Sequence, residues 1–253
     1  MENAFEGLYF YEIVLIVLGT LLFLALLFGL VFYIIKGREL KKLLLFFLIP
    51  IVMIGYPSIQ MISIDNGKFE IQKYTYDLKN DPTDTVAINT LTELVNEYDK
   101  REFASPELTM AIGEAHSLLG NDTKAIKYAD QALESMPSLK EAKVLKAISE
   151  VSQTVKLLNV GDNSGVLTES DKKSLENNLT LVENSNHQDV GTKLKMAEGY
   201  LLLKDTSKAN SYVKPILEQQ PNFKSANILN NRINRTQNTS ETSSMSEAET
   251  LKK

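Results

Sequence analysis

The chain has 253 residues, with 27 Lys and Arg against 32 Asp and Glu for a net charge of −5, two His and no Cys. Without thiols there are no disulfides and no Cys-zinc sites, and His116 and His187 form no HExxH pair, so most metal and general-base chemistry loses its usual residues. Four acids and four bases precede residue 65 and cancel, so the remainder keeps the charge of −5 without a basic run, which argues against nucleic acid and against any pull toward anionic lipid beyond a tether.

In chain order, a short N-terminus (1–12) holds Glu2, Glu6 and Glu12 and no base. Two uncharged apolar runs follow, 13–35 and 43–64, separated by the turn 36–42. About 20 apolar residues cross a bilayer, and only a helix pairs its own backbone there, so the pattern predicts a transmembrane hairpin. The first run lacks a basic leader and exceeds the apolar core of a signal peptide, so it is expected to stay in the mature chain. No charge lies within the runs, which favours an anchor over a transport path. Pro50, Gly55 and Pro57 are candidate kinks, and Ala25 and Gly29 a candidate helix contact.

Orientation follows from the turn, where Lys36, Arg38, Lys41 and Lys42 face the single acid Glu39. The positive-inside bias puts this turn in the cytoplasm and both flanking regions outside. The expected location is an integral membrane protein, in a bacterial inner membrane, with its C-terminal domain in the periplasm.

Beyond the hairpin, Asn66-Gly67 predicts a turn opening a connector (65–83). Asp84 is placed to cap a helix carrying Val86, Ile88, Leu91, Leu94 and Val95. Further helices are expected at about 106–119, 122–135, 138–158, 169–184, 189–203, 206–219 and 222–234. Alternating strand patterns are scarce, so the fold class is all-α: a two-helix hairpin followed by an irregular α-solenoid of helical hairpins over 84–235. The tail 236–253, rich in Ser, Thr, Asn and Glu, is expected to be disordered.

Residues 106–139 and 190–223 align over their whole length. Ile112-Gly113 matches Met196-Ala197, His116 matches Tyr200, Ala125 matches Ala209, Tyr128 matches Tyr212, Ala132 matches Ile216 and Pro137 matches Pro221. Small residues let two helices approach, and each Pro ends the second one. The two copies start at Pro106 and Val190, an interval that is not a whole number of such units, so a degenerate unit is expected at 140–188 and another before Pro106. His116 reads as an interhelix packing residue.

In these positions the chain resembles the tetratricopeptide repeat family, which also pairs antiparallel helices in units of about 34 residues. It departs from that pattern in having Thr109 and Lys193 where a large aromatic is common. The resemblance implies a concave face that binds extended or helical peptides, carried over by offset to Glu107, Met110, Glu114, Ser117, Leu118, Leu194, Glu198, Leu201 and Leu202. Met110 and Glu114 occupy the places of a carboxylate clamp, so binding of chaperone tails is not expected.

The 161–165 sequence Gly-Asp-Asn-Ser-Gly reads as a turn, since no His and acid accompany its Ser and the calcium-loop spacing is missed. The triplets opening at Asn121, Asn178 and Asn238 carry no weight. The expected function is therefore non-enzymatic and without cofactor: a membrane-anchored scaffold for a protein partner, compatible with a homo-oligomer. The alternatives are a chaperone for exported chains, similar to the cytochrome c maturation chaperone, and an accessory subunit of a membrane enzyme or transporter.

Overall fold

The computed structural model describes residues 8–37, 41–101, 105–160, 167–185 and 189–250. The readings that fall on residues 1–7, Arg38, Glu39, the 161–165 loop, His187 and 251–253 lie outside these. The described residues are all-helical, as expected. The order is α1 (Phe10–Ile35), α2 (Lys41–Phe46), α3 (Leu48–Asn80), α4 (Thr85–Tyr98), α5 (Pro106–Leu118), α6 (Asp122–Ser135), α7 (Lys140–Val160), α8 (Glu169–Glu183), α9 (Val190–Leu202), α10 (Thr206–Gln219) and α11 (Lys224–Thr250).

Two of these helices are long and apolar enough to cross a membrane. At 26 residues α1 is about 39 Å long, and the 33 residues of α3 reach about 50 Å, against a hydrocarbon core of about 30 Å. The expected turn at Asn66-Gly67 does not form. Helix α3 runs through both residues to Asn80 without a break. A Cβ at Gly67 would lie 2.1 Å from the Tyr98 hydroxyl, so this glycine serves helix packing and not a turn.

The second apolar run breaks at Phe47, between α2 and α3. Pro50 then falls in the first turn of α3, where a missing N–H removes no helical bond. The hairpin contact also differs from expectation. Gly29 meets nothing within 4 Å of a built Cβ and Ala25 is exposed, whereas a Cβ at Gly19 would sit 2.9 Å from Ile54 Cγ1 and 3.0 Å from Met53 Cβ. The helices cross closely there because only Gly leaves room.

Asp84 caps α4 as expected, accepting from the Val86 and Ala87 amides at 2.9 and 3.1 Å. The buried face of α4 is Ala87, Leu91, Val95 and Tyr98, while Val86 points outward. The tail departs from expectation too, because the α11 backbone is helical to Thr250. Its first half is held by buried Ala226, Leu229 and Ile233, and a helix once nucleated extends through local bonds that need no burial.

The interval from Pro106 to Val190 is itself the repeat. Helices α4 and α8 start at that same spacing, as do α5 and α9, α6 and α10, and α7 and α11. Helix α3 packs on α4 and α5 as α7 packs on α8 and α9, and α6 meets α7 as α10 meets α11. Buried residues follow the same interval: Ile64 with Ile148, Leu91 with Leu175, Val95 with Leu179 and Tyr98 with Val182. The first unit therefore begins in the C-terminal half of α3, and its core of Ile64, Ile71, Leu78, Leu91 and Ile112 grows directly from the helix that carries the second apolar run. The second core gathers Val151, Leu179, Met196, Val213 and Ile233.

Turns repeat with the helices. After α5 and α9 the chain passes through a left-handed residue, Gly120 (φ 76°) and Lys204 (φ 63°). The next amide reaches back to the helix in both: Asn121 N to His116 O at 2.8 Å and Asp205 N to Tyr200 O at 2.9 Å.

Candidate partner-binding site

The small residues of the aligned segments lie where helices cross. Ala125, Ala132, Ala197 and Ala209 are fully buried, and a Cβ at Gly113 would come within 2.9 Å of Leu145 and 3.0 Å of Tyr128. Pro137 and Pro221 follow α6 and α10 in exposed turns.

Each unit carries one carboxylate bound by its aromatic pair. His116 stacks on Tyr128 with ring centroids 5.6 Å apart, and Tyr200 on Tyr212 at 5.8 Å. In the first unit Asp99 accepts from His116 Nε2 at 2.9 Å, from Tyr128 Oη at 2.7 Å and from Lys124. In the second, Glu183 accepts from Tyr200 Oη at 3.0 Å, Tyr212 Oη at 3.1 Å and Lys208 Nζ at 3.4 Å. Each member of the second group stands at the repeat interval from its counterpart in the first. Burial raises both carboxyls, but the hydrogen bonds and the lysines outweigh it, and both titrate below their ordinary values. Burial pushes His116 down against the pull of Asp99, so the imidazole is neutral at pH 7, with Nε2–H the donor. These are braces between helix pairs. The acids lie just before the segments compared in the sequence, where extending the same offset finds them.

The nine residues projected onto a concave face differ in their surroundings, and Glu198 among them is half-buried. Glu107 is exposed. Met110 is buried, contrary to expectation, among Ala125, Ala129, Ala132 and Leu145, while Ser117 is largely covered where α5 approaches α7 and α9 and keeps an edge on the cavity there. Leu194, Leu201 and Leu202 are half-buried against the second core, and Glu114 is paired with Lys79 at 3.1 Å.

Leu118 remains beside open space. A cavity of about 190 Å³ lies where the end of α3, the end of α5 and the start of α9 converge, walled by Leu78, Pro82, Ile88, Leu118, Leu119 and Lys195. A narrow crevice continues from it past Lys79, Glu114, Val144 and Asp189. The inner curve of the two units thus closes down to a small apolar pocket with charged rims.

Polar residues that the sequence patterns did not single out hold this junction. Lys195 Nζ donates to the Ser117 carbonyl and hydroxyl, both at 3.0 Å, and sits 3.5 Å from Asp122 Oδ1. The other Asp122 oxygen accepts from Ser152 at 2.8 Å and Lys156 at 2.6 Å, while Oδ1 has only the Lys195 charge. Burial lowers Lys195 despite Asp122, and burial raises Glu198 despite Arg232, Lys195 and Lys156. Asp122, Ser152, Lys156 and Lys195 come from helices far apart in the chain, and no local spacing marks them. At about 190 Å³ the pocket is below the range of about 300–1,000 Å³ that holds small-molecule ligands, and its size and lining suit a single apolar side chain. No family model, curated protein or solved structure matches the chain.

Proposed function

We propose that this chain is a membrane-anchored, non-enzymatic scaffold, whose tetratricopeptide-like helical domain holds a peptide segment or helix of a protein partner at the junction of its two units. The observation that carries this reading is the continuity of α3, which extends from the apolar hairpin into the first core and ends at the wall of the 190 Å³ pocket. A peptide seated there would be held at a set distance from the bilayer. Leu78, Ile88, Leu118 and Leu119 would take its apolar side chain.

The basic turn between the spans favours an extracytoplasmic domain, periplasmic in a bacterial inner membrane. Because the chain has no Cys, a single Cys in place of exposed Lys173 can report the side. Labelling of intact cells, or of spheroplasts, by an impermeant maleimide is the expected result, and labelling only after lysis would reverse the orientation.

The partner site is tested by Leu118→Glu, which places a carboxylate in the pocket wall. The expected outcome is loss of co-isolated partner with the melting temperature retained, while Leu118→Met preserves both. Full partner retention by Leu118→Glu would remove the pocket from the function.

A further inference from the structure

The acidic balance of the domain conceals a basic cavity. Between the turn that follows α4, the face of α5 and the length of α6 lies a space of about 500 Å³, and Lys100, Arg101, Lys127, Gln131 and Glu134 are among its walls. Asp99 borders it too, but that carboxylate already accepts from Lys124, His116 and Tyr128. With Asp99 matched by Lys124, Lys100 and Lys127 stand on the wall with the acid Glu134, beside Arg101.

The position of this cavity is as informative as its charge. Arg101 meets both ends of the hairpin on one level: its guanidinium lies 5.1 Å over the ring of Tyr9, the residue before α1, and Nη2 donates to Gln60 Oε1 in α3 at 3.4 Å. Tyr9 Oη donates to the Lys100 carbonyl at 3.2 Å. Tyr9 stands one helical turn before the first apolar run begins at Ile13, and Gln60 one turn before the second ends at Ile64. Both runs therefore reach the bilayer surface beside Lys100 and Arg101, at the depth where phospholipid phosphates lie.

We propose that this cavity binds the phosphodiester headgroup of an anionic phospholipid, with Arg101 and Lys100 at the membrane side and Lys127 above. The two lysines supply charge with little geometric demand, and the Arg101 guanidinium, held beside them by Tyr9 and Gln60, adds to the positive potential. Net charge gives no hint of the site, because its cations come from the α4–α5 turn and from α6, and most acids of the domain lie elsewhere. The binding would fix the rotation of the domain about α3 relative to the membrane plane.

The inference rests on the membrane-anchored reading, and the test keeps the two apart. The full chain, purified in a neutral maltoside detergent, is titrated with dihexanoyl phosphatidylglycerol, dihexanoyl phosphatidylcholine and inorganic phosphate, with bound species counted by native mass spectrometry. Phosphatidylglycerol is expected to bind in preference to phosphatidylcholine. The Lys100→Gln/Lys127→Gln variant should weaken it about thirtyfold. Lys100→Arg/Lys127→Arg should retain it, and Lys173→Gln, on the exposed surface of the second unit, should change nothing. Equal binding of the two lipids, or a preference untouched by the double Gln variant, overturns the site. Binding of inorganic phosphate without the lipid overturns the headgroup assignment. A chain that stays monodisperse without detergent or lipid overturns the anchored reading, and the headgroup assignment with it.

Discussion

Tyr98 packs against Gly67, and its hydroxyl donates to the Ile64 carbonyl at 2.5 Å, one turn earlier on the same helix as that glycine. Burial, with Glu97 adding to it, pushes the Tyr98 phenol up to about 12, so it remains a donor throughout the neutral range. By helix propensity alone, Gly67→Ala would stabilise the interior of α3 by about 0.5–1 kcal/mol. The packing reverses that sign. A methyl group here displaces Tyr98, and the expected cost is about 1–3 kcal/mol, read as a lower melting temperature in detergent. Tyr98→Phe should relieve part of it, so the double variant falls short of the sum of the singles. A stabilising Gly67→Ala would mean that α4 does not rest on α3 in this way.

Glu183 and Glu198 are expected to respond in opposite directions. Glu183 titrates below its ordinary value of 4.5, so its stabilisation is complete above that value and is lost as the pH falls through the lowered one. Glu198 titrates above 4.5, so its carboxylate costs stability at neutral pH and the cost disappears as the pH falls through the raised value. At pH 7, Glu183→Gln should therefore lower the melting temperature, with a loss of about 1.5–3 kcal/mol for its charged hydrogen bonds, and Glu198→Gln should raise it slightly. Two shifts of the same sign would contradict the burial assigned to one of them.

Gly120 and Lys204 hold the same left-handed position in the two units, and only the first is suited to it. Lys204→Gly should stabilise the chain by about 1 kcal/mol, and Gly120→Ala should destabilise it by a similar amount. Chemical denaturation of both variants against the parent measures the difference. Equal and neutral effects would deny the equivalence of the turns.

The fold is largely legible in the sequence because helix signals are local. Apolar period, the Asp84 cap and the matched Ala and Pro positions each report on a few consecutive residues. Gly67 misleads because a glycine after Asn is the mark of a turn, while its actual neighbour, Tyr98, sits at the far end of the next helix and is invisible to local reading. Gly29 misleads in the same way, since only the partner helix decides which small residue is the contact. Of the projected concave face, Leu118 and the edge of Ser117 line the pocket, but Met110 is covered by α6 and by α7, a helix outside the two segments compared. Lys195 and Asp122 join α9 of one unit to α6 of the other, and their pairing exists only once the two units curl together.

The central claim is that the junction pocket receives a partner while the chain is held at the membrane. A photo-crosslinking residue at Leu118, with another at exposed Tyr76 as reference, tests it in living cells. A discrete adduct with a second protein is expected from Leu118, absent from Tyr76 and abolished by Leu119→Glu. No adduct from Leu118, or the same adducts from both positions, would contradict it.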